Sequence, residues 1–190
     1  MEIRTFVALP LDEAVRDRLA AAREALAAAA PAVRVRWVAR ANLHLTVKFL
    51  GGVDERLLAE VCRAAGEVAA AGGPFEFRVR GLAPVPARGP LRMIWAGIEE
   101  ATGRLTELAE RLERTFREMG YKEERRAFHP HLTLGRVKSP RGADALRDAA
   151  RARAETDFGL QPAEEIVVFS SELTRDGPVY TAVARAPLGG

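Results

Sequence analysis

His44-Leu45-Thr46-Val47 and His131-Leu132-Thr133-Leu134 share one tetrapeptide pattern and use two of the three histidines in this 190-residue chain. Side chains two residues apart on a strand project from the same face. Strict alternation therefore predicts His44, Thr46 and Lys48 on one face, with Leu45, Val47 and Phe49 turned into a core. It likewise sets His131 and Thr133 opposite Leu132 and Leu134. An unperturbed imidazole titrates near 6.5, so around neutral pH one ring can accept a proton while another donates one. Two such rings on opposite sides of a substrate suit in-line displacement at phosphorus. The threonine hydroxyls can donate hydrogen bonds to the non-bridging oxygens, where charge grows in the transition state. No metal or cofactor is required when the substrate carries its own leaving group, as a strained cyclic phosphodiester does.

The elements that must position these motifs recur in the same order twice. Arg4 to Leu9 reads as a strand stopped by Pro10. Asp12 then caps a helix with Val15, Leu19, Ala22 and Leu26 at helical spacing. Val33 to Val38 is a second strand, with Arg34 and Arg36 on one face, and the first histidine strand follows and closes at Gly51-Gly52. A helix capped by Asp54 and a clearly alternating strand at Phe75, Phe77 and Val79 complete the first half. Gly81 to Pro90, with three prolines and two glycines, is predicted as a loop. The pattern then restarts with a strand over Arg92 to Ile98, a helix capped by Thr102, and the second histidine strand. Ser139-Pro140 is predicted to open the next helix. Strands over Glu165 to Leu173 and Pro178 to Ala186 meet at an Asp176-Gly177 turn. Halves of about 1–81 and 91–186 imply a duplicated unit. The expectation is one α+β domain spanning 1–190: two pseudo-symmetric lobes of mainly antiparallel sheet, helices outside, and a central cleft where the two histidine strands face each other.

With both motifs in a duplicated α+β chain, the sequence resembles the 2H phosphoesterase superfamily. The flanks Arg4-Thr5-Phe6-Val7-Ala8, Trp37, Asn42-Leu43-His44 through Gly51, and Phe128-His129-Pro130-His131 through Arg136 narrow this further. They are similar to the RNA 2′,3′-cyclic phosphodiesterases, also called 2′-5′ RNA ligases (LigT/ThpR-like), over essentially the whole chain. The resemblance implies hydrolysis of a 2′,3′-cyclic phosphate to a 2′-phosphate, with His44 as proton donor, His131 as proton acceptor, and Thr46 and Thr133 on the phosphate. It also implies that Arg136 lies near the phosphate; alternation turns Arg136 away from His131 unless the strand is interrupted at Gly135. Phe6 is a candidate for stacking on a base, and Lys48 and Arg126 for meeting phosphate. The implied partners are RNA ends or oligonucleotides bearing the cyclic phosphate, and cyclic mononucleotides.

Composition sets the remaining bounds. With 48% hydrophobic and 29% charged residues the chain has the make-up of a soluble globular protein, and its net charge of +3 is compatible with a polyanion without demanding one. The single cysteine, Cys62, cannot form an internal disulfide. No run approaches membrane-spanning length and Met1-Glu2-Ile3-Arg4 lacks a secretion pattern, so a cytoplasmic, monomeric protein is expected. Two rival readings remain open. His44, His129 and His131 could supply three imidazoles to zinc, although the paired threonines would then be unexplained. A non-catalytic nucleotide or RNA binder is the other, although phosphate binding alone would not call for two titratable bases.

Overall fold

Helical periodicity and strand alternation translate directly into most of the elements of the computed structural model, which describes residues 1–124, 126–139, 141–175 and 177–189. The strands are β1 (Glu2–Leu9), β2 (Val35–Trp37), β3 (Leu45–Asp54), β4 (Phe75–Val85), β5 (Met93–Glu99), β6 (His131–Val137), β7 (Asp157–Ala163), β8 (Glu165–Thr174) and β9 (Gly177–Pro187). The helices are α1 (Glu13–Ala29), α2 (Leu58–Ala70), α3 (Arg104–Glu118) and α4 (Ala143–Arg151). Helix α3 illustrates how local sequence fixes geometry. Leu105, Leu108, Leu112 and Phe116 form its buried stripe. Gly120, at φ +88°, ends it. The Gly120 N–H donates to the Arg117 carbonyl and the Tyr121 N–H to the Phe116 carbonyl, both at 2.9 Å, while the Tyr121 ring packs edge-on against Phe116. This Schellman turn directs the chain into the segment that leads to His131.

All strand pairing is antiparallel, in a four-stranded sheet ordered β3-β1-β8-β9 and a five-stranded sheet ordered β2-β6-β5-β4-β7. Helices α2 and α3 cover the first sheet, and α1 and α4 the second. The duplicated halves of the sequence are thus not the two layers: β4 leaves the first half to pair with β5, and β8 leaves the second to pair with β1. One continuous core, with Leu9, Leu45 and Val61 from the first half and Leu112, Leu132 and Ile166 from the second, runs through both. No described helix is long and apolar enough to cross a membrane.

Several boundaries differ from the sequence expectation for physical reasons. The Gly81–Pro90 loop is half strand: β4 continues to Val85 past a bulge at Gly81, whose φ of +75° suits glycine, and Leu82 is buried. Strand β7 is hidden in the sequence by Gly159 and Pro162; it pairs with β4 alone, and an edge strand tolerates proline. Helix α4 begins at Ala143 after Gly142, beyond the Ser139 expected to open it. Pro140 and Asp176, and with them parts of the predicted cap and turn, lie outside the described residues. At α3 the Glu100 carboxylate, rather than Thr102, takes the main capping role by accepting from the Thr102 and Leu105 N–H groups.

The largest departure is at Lys48. Its ammonium is buried on the α3 side of the sheet, 2.7 Å from the Glu113 carboxylate and 2.9 Å from the Lys122 carbonyl. The other Glu113 oxygen accepts from the Glu124 N–H. Lys48 is therefore a strut between β3 and the segment before His131, and it is not on the imidazole face. Truncating one partner of a buried pair leaves the other charge uncompensated; Glu113 is partly exposed, so water softens that cost to about 2 kcal/mol. Lys48→Met is expected to lower the melting temperature by roughly 4–8 °C, measured by thermal unfolding at neutral pH. An unchanged melt would show the pair to be energetically idle.

Candidate active site

A bulge in each motif strand decides which side chains share a face. Paired residues in an antiparallel ladder point the same way. Along β1 and β3, Ala8 pairs with Thr46 and Val7 with Lys48, so Val47 is the extra residue, and Phe6 then pairs with Phe49. Along β5 and β6, Trp95 pairs with Thr133, Ile94 with Gly135 and Met93 with Arg136, so Leu134 is the extra residue. Parity flips after each bulge. Arg136 consequently shares the face of His131 and Thr133, and the interruption it requires sits at Leu134, just before the expected Gly135. Phe49 shares the face of Thr46 and Phe6 and is 64% exposed, not in the core. The same flip sends Lys48 to the opposite side.

The two histidines are anchored identically. His44 Nδ1 lies 2.8 Å from the Asn42 carbonyl, and His131 Nδ1 lies 2.7 Å from the His129 carbonyl. A carbonyl can only accept, so in both rings Nδ1 carries the proton and Nε2 is left for chemistry. The carbonyl two residues back is set by the extended backbone entering each strand. For His44 this entry follows the 3-10 turn Arg40–Asn42, itself tied to β9 by the Asn42 side-chain amide donating to the Pro178 carbonyl at 2.8 Å. His44 Nε2 is 3.0 Å from Thr46 Oγ1, so imidazole and hydroxyl of one motif act as a unit.

The packing around the rings differs. His131 lies flat on the Trp95 indole, centroids 3.7 Å apart. His44 stacks on Phe6 at 4.8 Å and meets the edge of Tyr180 at 5.3 Å, with Phe169 behind. Phe6 is only 4% exposed. It forms the wall behind His44 and has no face left for a base, which corrects the sequence expectation. Burial pushes the His44 imidazolium down to about 4, against the pull of the Asn42 carbonyl. Burial also lowers His131, opposed by its bond to the His129 carbonyl and reinforced by the charge of Arg136.

Strands β3 and β6 approach within 8 Å between Cα atoms, and Val38 N–H donates to the Leu134 carbonyl at the bulge. Tyr180 marks where the two imidazole faces meet: it touches His44, while the charges of Arg136, Arg4 and Arg36 partly offset the upward push of burial on its phenol. The Arg36 guanidinium crosses from β2 to lie against Gly177 on β9, where a side chain would meet it at 3.6 Å. Arg36, Arg4, Trp95 and Tyr180 thus join the candidate site, although sequence reasoning passes over them. Only their three-dimensional company distinguishes them from ordinary strand positions. Arg136 is exposed, with Nη1 on the Met93 sulfur at 3.3 Å. Arg126 lies in the exposed segment before β6, its backbone N–H donating to the Glu124 carboxylate; Arg125 is outside the described residues. His129 is exposed and contributes its carbonyl. Among the described residues no three His, Cys, Asp or Glu side chains cluster as metal ligands would, so His44, His129 and His131 do not form the triad that a zinc site needs.

The chain is similar to known proteins over essentially its whole length. A protein of Methanothermobacter thermautotrophicus, an RNA 2′,3′-cyclic phosphodiesterase, is 34% identical over 95% of this chain and 96% of its own length. One of the same description from Thermus thermophilus is 34% identical over 99% and 91%. The crystal structure of TT0787 of Thermus thermophilus superimposes with a TM-score of 0.82 at 31% identity, covering 98% of each chain. That of E. coli LigT complexed with 3′-AMP gives 0.77 at 26% identity over the whole of both. The family described as LigT like Phosphoesterase matches two consecutive stretches, residues 9–95 and 97–180, each carrying one His-x-Thr motif. This chain belongs to the LigT like Phosphoesterase family.

Proposed function

We propose that the protein hydrolyses 2′,3′-cyclic phosphates, at RNA ends and in cyclic mononucleotides, to 2′-phosphomonoesters by metal-independent general acid–base catalysis. The observation that carries this reading is the identical anchoring of His44 and His131, each with Nδ1 held by the carbonyl two residues back, which leaves Nε2 as the atom to exchange a proton. The descriptions of the relatives from Methanothermobacter and Thermus support the substrate class. In the reaction, His131 Nε2 accepts a proton from water as its oxygen bonds to phosphorus. The bond from phosphorus to the 3′ oxygen breaks, and that oxygen takes the proton from His44 Nε2. Thr46 and Thr133 hydroxyls donate to the non-bridging oxygens, and Arg136 offsets their charge. With a ribose 5′-hydroxyl in place of water, the same displacement joins two RNA ends through a 2′-5′ linkage. All of these groups come from one chain, so a monomer suffices.

The test is incubation of the purified protein, in excess chelator, with adenosine 2′,3′-cyclic phosphate and with an oligoribonucleotide ending in the cyclic phosphate. A 2′-phosphate product from both is expected. A 3′-phosphate product would keep the two-histidine mechanism but make the 2′ oxygen the leaving group. Activity abolished by chelation would sink the metal-independent mechanism, and binding without any turnover would favour a pure nucleotide binder.

A further inference from the structure

The two halves of the duplicated site differ at one ladder position. Trp95 on β5 pairs with Thr133, so its indole shares the imidazole face of the second motif; the equivalent position in the first half, Ala8 opposite Thr46, carries only a methyl. His131 lies on that indole with ring centroids 3.7 Å apart and planes within 18° of parallel. His44 has the smaller Phe6 ring instead, farther off at 4.8 Å. The Trp95 N–H is buried and has no hydrogen-bond partner among the described residues. A buried indole ordinarily satisfies that donor, and a phenyl or aliphatic side chain would fill the place without stranding it. The ring is therefore retained for its face.

What that face can do follows from the charges around His131. Burial works against its imidazolium, and so do the charges of Arg136 on its own strand and of His129 just before it. The bond from Nδ1–H to the His129 carbonyl works the other way. Among the described residues no carboxylate is one of the charges acting on it, so the acidic partner that stabilises a catalytic imidazolium elsewhere has no counterpart. On β5, Gly97 lies opposite His131, and beyond it Glu99 is matched by Arg80 at 3.9 Å. From the other sheet His44 and Tyr180 face the same cleft. When Nε2 takes the proton from water, the positive charge spreads over a ring that lies flat on an indole, and indole faces attract cations more strongly than phenyl faces do.

We infer that Trp95 is a positioning residue for the reaction: its indole face holds the His131 ring and stabilises the imidazolium that forms there as water is deprotonated. The inference rests on the cyclic phosphodiesterase reading above.

The experiment follows the His131 ring by NMR through a pH titration in wild type, Trp95→Phe and Trp95→Leu, with the signal assigned by its loss in His131→Gln. Turnover of adenosine 2′,3′-cyclic phosphate is measured in parallel. Trp95→Leu keeps an apolar cover and removes the π face, and is expected to lower the pH at which His131 titrates by roughly one unit. It should lower kcat roughly three- to thirtyfold, while His44 titrates as before. Trp95→Phe should fall between, and it carries the comparison alone if the leucine variant does not fold. A merely structural indole predicts the opposite sign, since thinner cover admits water and raises the titration of His131. An unchanged or raised His131 titration, or an unchanged kcat, would overturn the inference and leave the two-histidine reaction standing. Wild-type protein that does not turn over the cyclic phosphate would overturn the reaction, and with it the part of Trp95 in it.

Discussion

His44→Ala and His131→Ala are each expected to lower kcat on adenosine 2′,3′-cyclic phosphate by a factor on the order of 10²–10⁴, the range for loss of a placed general acid or base. The double variant should fall little further than either single one, because acid and base act on one displacement and their effects are not additive. KM should move less than kcat in His131→Ala, since that ring acts on water. Each ring is packed, His131 on Trp95 and His44 between Phe6 and Tyr180, so truncation also removes stacking contacts. Thermal melts of the variants separate that loss from chemistry, and a His→Gln pair that refills the space without a titratable nitrogen provides the control. Full activity in either alanine variant would remove that histidine from the mechanism. A tenfold or smaller loss in both would point instead to phosphate positioning, with the threonines and Arg136 carrying the catalysis.

Much of this site is legible in the sequence because it depends on local periodicity. A motif of His, Leu, Thr and an aliphatic residue that occurs twice, each time in alternating surroundings, signals a duplicated polar face by its pattern alone. What alternation cannot register is an extra residue. The bulges at Val47 and Leu134 leave no compositional trace, neither being glycine, yet each reverses the parity of the residues that follow it, in β3 as far as a second bulge at Leu50. That single feature accounts for Lys48 being a buried strut, for Phe49 being exposed, and for Arg136 reaching the face of His131. The exchange of β4 and β8 between sheets is equally silent locally, since a strand's own pattern reports that one face is buried, not against which partner. Phe6 shows the converse limit. Its place on the imidazole face is readable, but whether an aromatic there meets substrate or backs a catalytic ring depends on Phe169 and Tyr180, contributed from the far end of the chain.

Binding of the cyclic phosphate should draw in a proton, and its affinity should rise up to tenfold for each unit that pH falls. In the free protein burial holds the His44 imidazolium down to about 4, from an ordinary 6.5. At neutral pH the ring is accordingly neutral, the wrong state for a proton donor. A bound phosphodiester anion against Nε2 supplies the opposite charge that burial lacked and raises the imidazolium again. Between the free and bound values, binding and protonation are linked, with one proton taken up per ligand. The diester itself does not titrate in this range, so the slope reports the protein. The measurement is calorimetric titration of adenosine 2′,3′-cyclic phosphate into His131→Ala, whose turnover is slowed on the order of 10²–10⁴-fold, from about pH 8 to about pH 5 in buffers of different ionisation enthalpy. The fold limits the acid end. A folded-state histidine held below its unfolded value means the unfolded chain binds the proton first, so stability falls as pH drops from 6.5 towards about 4. Tightening towards acid with uptake approaching one proton, abolished when His44→Ala is added, would establish His44 as the group charged by substrate and hence as the donor. Affinity independent of pH, with no proton uptake, would assign the donor role to His131 and exchange the two roles across the pseudo-dyad.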